Sequence, residues 1–360
     1  MARLLQLVPN HLLPAGARRL VQREISGVPI NLVRSTDKVA LAASYSRAVG
    51  RNAIDTDSLR DRIFSSSLAR WGYGNADWIY SMFGEGWDFL KEAKRRGIRV
   101  ALDIFINPVT HRIVEAERQM FPDWELPENS DFKEFEADIN DRFELADLLL
   151  CPADAVADGI RKYPASSEGK IRIVPYGFAG DVLRREPTKV QRRVLFGGSA
   201  ILRKGIHYFA RATKQLAKSS SAFQFRVAGP VAESVRTKSD CRHLEFLGPL
   251  TRSQFMDEMA SADVFVLPTL AEGSATVIFE ALALGIPVVT TRNAGSAVTH
   301  EREGLIVADR DVESLADAIN QITSKRSLRD SMSMEAASTA SEFTEARWGT
   351  RLLAAMQSIQ

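Results

Sequence analysis

Two carboxylates, Glu272 and Glu280, lie in the stretch P-T-L-A-E-G-S-A-T-V-I-F-E-A-L-A-L-G-I-P-V-V-T-T, residues 268–291. A pair at this spacing is ordinarily two solvated side chains. Glu280, however, is flanked by Val277, Ile278, Phe279, Ala281 and Leu282. A carboxylate among such neighbours is costly unless something hydrogen-bonds it, and the hydroxyls of a polar ligand would do so. Just before this run come three small residues, Gly273, Ser274 and Ala275. At a helix start they leave backbone N–H groups open, and those donors together with the helix dipole attract phosphate. A second cluster is the basic pair Arg203-Lys204 in G-G-S-A-I-L-R-K-G, residues 197–205. Its bland reading is a solvated pair; beside a helix start, its sharper reading is a phosphate contact.

These residues need elements to hold them. Asp263 to Pro268 is an apolar run that reads as a buried strand, and a helix follows from about Ser274 to Leu284. Gly285 stops that helix, and Pro287 opens a strand over Val288 to Thr291. Glu272 therefore falls on a strand-to-helix loop and Glu280 about two turns into the helix. The glycines at 197–198 end a strand begun at Arg193, and a helix runs on to about Lys218. Phe223 to Ala228 is a further strand, and Thr251 is a polar N-cap for a helix ending at Ser261. Asp311 to Thr323 and Ser327 to Glu342 are amphipathic helices.

Earlier in the chain, a short strand at Asp77–Tyr80, a helix at Trp87–Arg96 closed by Gly97, and a strand at Ile98–Ile106 imply a parallel βαβ unit. That last strand runs into Asn107-Pro108-Val109-Thr110-His111. A loop beyond a strand C-terminus is where open α/β sheets bind ligands, so His111 has a position suited to function; the plainer reading is a histidine capping the next helix. Met1 to Gly50 is the least readable part, with expected strands at Leu4–Val8 and Ile30–Val33 and a helix at Arg18–Arg23.

The chain has 360 residues and is 45% hydrophobic, enough for two ordinary domains. A net charge of +2 argues against a dedicated nucleic-acid binder. Cys151 and Cys241 match no metal or redox spacing and read as small apolar residues in a reducing compartment. The five histidines are scattered, so no metal site is expected. No run is long enough to span a membrane and no signal peptide is evident, so a cytoplasmic protein is expected. Charge is uneven. Met1–Arg51 carries eight basic and two acidic residues, and Arg112–Asp147 four basic and twelve acidic. Both read first as solvated surface. The basic stretch also suits contact with anionic lipid headgroups at the inner face of a membrane.

The second half resembles the retaining glycosyltransferases of family 4, which have the GT-B fold. The resemblance rests on the E-x7-E pattern of Glu272 and Glu280, on Pro287-Val288-Val289-Thr290-Thr291, on Gly295, and on Glu303-Gly304-Leu305-Ile306-Val307. In the first half it is weaker: Ala146 to Pro152 and Lys170 to Gly177 match family strands, but no Gly-Gly loop stands near the N-terminus. The implied architecture is two doubly wound, Rossmann-like α/β domains facing a central cleft. They would comprise residues 1–177 on the acceptor side and 178–342 on the donor side, with helix 343–360 crossing back and residues 178–191 as linker. The implied reaction moves a sugar from a nucleotide-sugar donor to a hydroxyl on a glycan or lipid-linked acceptor, without metal or resident cofactor. By that resemblance Glu280 would hold the ribose and Glu272 the donor sugar. Lys204 and Arg203, with N–H groups from Gly273, Ser274, Ala275 and Thr276, would stabilise the diphosphate. The turn ending at Leu250 would pack on the base, and His111 would stand where many members carry a histidine. The family arginine after Gly198 is replaced by Ser199, so Arg203 is the candidate to supply its charge. Two other classes stay open: a sugar-nucleotide epimerase or hydrolase of the same architecture, and a non-catalytic sugar-nucleotide binder. A nicotinamide oxidoreductase is disfavoured, because no G-x-G-x-x-G follows a strand.

Overall fold

The computed structural model describes residues 53–125, 132–178 and 190–359, with six further positions between 29 and 39. Outside the described residues lie the expected strand at Leu4–Val8, the helix at Arg18–Arg23, half of the strand at Ile30–Val33, nearly all of the basic stretch, and most of the expected linker. The chain divides into two compact units, residues 1–100 and 101–360.

The first unit holds α1 (Ala53–Trp71), β1 (Trp78–Met82), α2 (Trp87–Arg95) and the start of β2 (Arg99–Asp103). Helix α2 buries Phe89, Leu90 and Ala93, carries Lys94 and Arg95 in its last turn, and is closed by Gly97 at φ 79°. Tyr73 stacks on Phe89 with ring centroids 4.3 Å apart, and its hydroxyl donates to the Phe89 carbonyl at 2.9 Å.

In the second unit come α3 (Thr110–Met120), α4 (Phe132–Leu145), β3 (Leu148–Cys151), α5 (Asp154–Ile160) and β4 (Ile171–Ile173). Strand β3 pairs in parallel with β2 on one side and β4 on the other. The expected strand over Ile98–Ile106 is shorter than its apolar run. Asn107 accepts from Val109 N at 3.1 Å and donates to Ala155 O at 2.8 Å, which turns the chain and leaves Phe105 exposed.

A six-stranded parallel sheet follows. Its elements are β5 (Arg193–Gly197), α6 (Ile206–Ser219), β6 (Gln224–Ala228), α7 (Glu233–Arg236), β7 (Glu245–Gly248), α8 (Arg252–Ala260), β8 (Val264–Leu267), α9 (Thr276–Ala283), β9 (Val288–Thr291), β10 (Gly304–Val307), α10 (Val312–Ser324) and α11 (Arg326–Ala340). The strand order is β10-β9-β8-β5-β6-β7, with every pair parallel. Val264 to Leu267 and Val288 to Val289 are fully buried, as an apolar run without alternation requires when helices cover both faces. The last helix, α12 (Glu345–Gln357), starts at Thr344, which accepts from Arg347 N. It lies along the segment after β4. Phe178 N donates to Phe343 O at 2.9 Å, Arg351 donates to Pro175 O at 3.0 Å, and Arg172 donates to Ser358 Oγ at 3.0 Å.

Candidate functional site

From β5 the chain winds one way, through β6 and β7, and later returns to β5's other side as β8, then β9 and β10. The winding direction reverses between β5 and β8. In a parallel sheet the loops leaving the C-terminal ends of two such strands part to opposite faces and open a crevice. Those loops are the G-G-S turn after β5 and the P-T-L-A-E-G loop after β8, the two stretches whose chemistry stood out in the sequence.

The loops are stitched to each other. After β5 a 3-10 turn, Leu202–Lys204, leads into α6. Gly205 closes it at φ 76°, and a Cβ there would collide with the Pro268 carbonyl, so only glycine permits the approach. The Arg203 carbonyl accepts from Leu270 N at 2.8 Å and from Thr269 Oγ1 at 2.9 Å. Gly198 is at φ 118°, and a Cβ there would lie 3.8 Å from the Lys204 Cε.

This stitching brings three predicted charges together. Arg203 Nη1 lies 2.6 Å from Glu272 Oε1 and 2.9 Å from Ala271 O. Lys204 Nζ pairs with the same Glu272 oxygen. Their side chains are 22%, 14% and 12% exposed for Arg203, Lys204 and Glu272, so the triad is largely desolvated but still reachable from solvent. Burial pushes the Lys204 ammonium below its ordinary pKa, and Glu272 opposes that shift. Two cations against one carboxylate leave the triad with a formal positive charge. Among the described residues Glu272 Oε2 has no side-chain partner. Such a site suits an anion on the cations and a hydroxyl on the free carboxylate oxygen.

The start of α9 differs from its expected form. The helix begins at Thr276, not Ser274, and the Ala275 N–H is taken by the Ala294 carbonyl at 3.0 Å. Ala275 therefore has no open donor. Among the described residues the N–H groups of Gly273, Ser274 and Thr276 have no hydrogen-bond partner. Gly273 is pressed against the Phe105 carbonyl, and a Cβ on Gly295 would meet the Gly273 carbonyl. Four residues into α9, Glu280 is 5% exposed and its Oε1 is 2.7 Å from Arg252 Nη1. Arg252 is the first residue of α8, whose cap Thr251 forms a reciprocal pair with Gln254. Leu250, just before that cap, is half-buried against the core of the sheet.

The remaining predicted residues fall as follows. Ser199 directly follows Gly198, and its carbonyl accepts from Ile201 N at 2.9 Å. His111 lies within the first turn of α3, not on the preceding loop, because Asn107 turns the chain early. Its Nδ1 is 3.1 Å from Pro108 O, its Nε2 is 2.8 Å from Glu136 Oε1, and its ring meets Phe135 edge-on at 5.2 Å. Arg112 and His111 together hold the Glu136 carboxyl down at about 2. These neighbours are those of a helix-start histidine.

Glu117 was missed. It belongs to the acidic stretch that reads as solvated surface, yet it is 0% exposed and bonded to His207, Tyr208 and Arg310. A signal was present: Ile113, Glu117 and Phe121 recur at helical spacing, and Ile113 and Phe121 pack against the core of the six-stranded sheet. Among the described residues no group of three His, Cys, Asp or Glu side chains is placed to hold a metal ion.

Residues 191–325 match the family described as Glycosyl transferases group 1. A Bacillus subtilis glycosyltransferase named for teichuronic acid biosynthesis is 33% identical over 132 residues, 36% of this chain and 33% of that one. The chain spans between a third and just over half the length of the curated relatives it matches. A sucrose-phosphate synthase structure from Thermosynechococcus elongatus superposes with a TM-score of 0.67 at 20% identity, covering 84% of this chain and 77% of that one. Anabaena HepE, solved with UDP and glucose, superposes with a TM-score of 0.59 at 17% identity, covering 78% of each chain. At these identities the superpositions establish the fold: α/β with parallel sheets, of the GT-B type.

Proposed function

We propose that the protein is a glycosyltransferase that moves a sugar from a nucleotide-sugar donor to a hydroxyl acceptor in the synthesis of a surface polysaccharide or glycolipid. The observation that carries this reading is the Arg203–Lys204–Glu272 triad at the reversal point of a parallel sheet, within the matched residues 191–325. The finer reading is a retaining, family 4, hexosyl-transferring enzyme that works without metal. The relative named for teichuronic acid synthesis and the HepE complex with UDP and glucose support the polysaccharide and nucleotide-sugar parts of it.

In this reading each residue has one task. The donor diphosphate lies on Arg203 and Lys204, and the open N–H groups of Gly273, Ser274 and Thr276 face its oxygens. As the sugar–phosphate bond breaks, charge grows on the leaving oxygen. Cations already fixed beside it stabilise that charge without reorganising, commonly the largest catalytic effect. Glu272 holds both cations through Oε1 and offers Oε2 to a hydroxyl of the sugar. Glu280, with one oxygen on Arg252, offers the other to the ribose, and the turn ending at Leu250 faces the base. The leaving phosphate takes the acceptor proton in a front-face reaction, a step carried over by analogy with the family. The acceptor side belongs to residues 1–177, and the basic stretch Met1–Arg51 would lie near anionic lipid if the acceptor is lipid-linked.

Product analysis with a panel of nucleotide sugars and candidate acceptors tests this. Release of nucleoside diphosphate together with a new glycoside is the expected result. Epimerised or hydrolysed donor without a glycoside would indicate the epimerase or hydrolase class. Tight donor binding with no turnover would indicate a binder.

A further inference from the structure

Helix α3 lies between β2 and β3 of the first sheet, yet its buried carboxylate is bonded to residues around the second. Glu117 Oε1 accepts from the Tyr208 hydroxyl at 2.5 Å and lies 2.8 Å from His207 Nε2. Its Oε2 accepts from Arg310 Nε at 3.0 Å and is ion-paired with Arg310 Nη2 at 2.9 Å. His207 and Tyr208 belong to the first turn of α6, and Arg310 to the loop before α10. Beyond α3 the chain stays on the same surface. Phe121 packs edge-on to His207 with centroids 4.5 Å apart, and Trp124, 6% exposed, is part of the core around the second sheet. Glu125 Oε1 then accepts from Leu202 N at 2.5 Å.

These bonds bracket one short turn. Leu202 is tied to Glu125 in front of it, and His207 and Tyr208 are tied to Glu117 behind it. Between the ties are Arg203, Lys204, Gly205 and Ile206. An apolar contact would have anchored α3 as firmly, and a fully buried carboxylate is no efficient source of stability. What three directional hydrogen bonds add is a fixed position for the turn beside them. None of the four side chains pairs with Arg203, Lys204 or Glu272, so any effect on them passes through the backbone.

We propose that Glu117 is a positioning residue for the donor diphosphate: a carboxylate from the first-sheet half of the chain that sets the placement of the Arg203–Lys204 turn. The inference rests on the reading of Lys204 as a phosphate-binding cation. It makes donor recognition by the second sheet dependent on a helix outside residues 191–325.

A double-mutant cycle on the intact protein tests it, with UDP and GDP as titrants in calorimetry and thermal unfolding run alongside. Lys204→Ala alone must weaken binding of the preferred nucleoside diphosphate. If it does not, the phosphate reading of Lys204 fails and the proposal falls with it. With that arm established, Glu117→Gln is expected to weaken binding roughly tenfold in the wild-type background and by much less in the Lys204→Ala background, because two changes that act on one group do not add. Equal losses in both backgrounds, or a lower unfolding temperature with unchanged affinity, would show a purely structural role and overturn the proposal. Should Glu117→Gln not fold, Tyr208→Phe removes one of the three hydrogen bonds and carries the same cycle with the same two outcomes.

Discussion

At the scale of single residues, the chemistry turns on Lys204. A cation held beside a leaving diphosphate binds the transition state more tightly than the ground state. Lys204→Ala is therefore expected to lower kcat more than it raises KM. Arg203→Ala should behave likewise if Arg203 has replaced the family arginine absent at Ser199. The double variant should then fall short of the summed losses, since both groups act on one phosphate. Arginine placed at Ser199 in the Arg203→Ala background should restore activity in part, and kinetic silence of Arg203→Ala would reduce it to a surface charge. Burial sets Lys204's pKa below the ordinary 10.5, so the folded protein loses that proton earlier as pH rises. Affinity for a nucleoside diphosphate should fall on the alkaline side at a midpoint below 10.5, and Lys204→Arg should move the fall to higher pH. A pH profile unchanged by that substitution would contradict the assignment. Glu280→Ala should weaken nucleotide binding by roughly 1.5–3 kcal/mol, the range for hydrogen bonds to charged groups; unchanged affinity in a folded variant would remove it from the site.

At the scale of elements, the strands around the site were legible because a parallel strand covered on both faces reads as an unbroken apolar run. Val264–Leu267 and Val288–Thr291 show this, and Thr251 announced the start of α8. What was not legible is where a run stops pairing. Ile98–Ile106 is apolar almost throughout, but the strand stops at Asp103, where its partner β3 runs out at Cys151, an end that hydropathy does not register. The Ala275 N–H is likewise engaged by Ala294, a partner distant in sequence. Glu117 was hidden for the same reason: its ligands come from positions 207, 208 and 310. Gly205 gives the sharpest test at this scale. Its left-handed backbone and its approach to Pro268 both exclude a side chain. Gly205→Ala should lose at least about 1–3 kcal/mol from backbone strain alone, read in urea unfolding. Full stability would mean that the turn joins the loops less tightly than described.

At the scale of the whole molecule, the second half was readable because its motifs occur in chain order on one doubly wound sheet. In the first half the strands of the four-stranded sheet and the helix at Trp87–Arg95 were legible too, but the bonds from α3 to the second sheet were not, because their partners lie at positions 207, 208 and 310. Among the described residues no helix is long and apolar enough to cross a membrane. The basic stretch Met1–Arg51 is expected to give weak, salt-sensitive binding to anionic vesicles, at about 1 kcal/mol per cation near the surface. Flotation at low salt with no bound protein would remove that element of the account. Activity should survive chelation, because Arg203, Lys204 and the α9 N-terminus supply the positive charge. Complete loss in EDTA, restored by Mg²⁺ or Mn²⁺, would contradict this. The central claim is sugar transfer from a nucleotide donor, and the most direct measurement is NMR of the product formed from the nucleotide sugar that binds best. Nucleoside diphosphate is expected in equal amount to a new glycoside whose anomeric configuration matches the donor's, with both formed more slowly in Lys204→Ala. A glycoside of inverted configuration would contradict the retaining mechanism. Donor binding with neither product would contradict the claim of transfer itself.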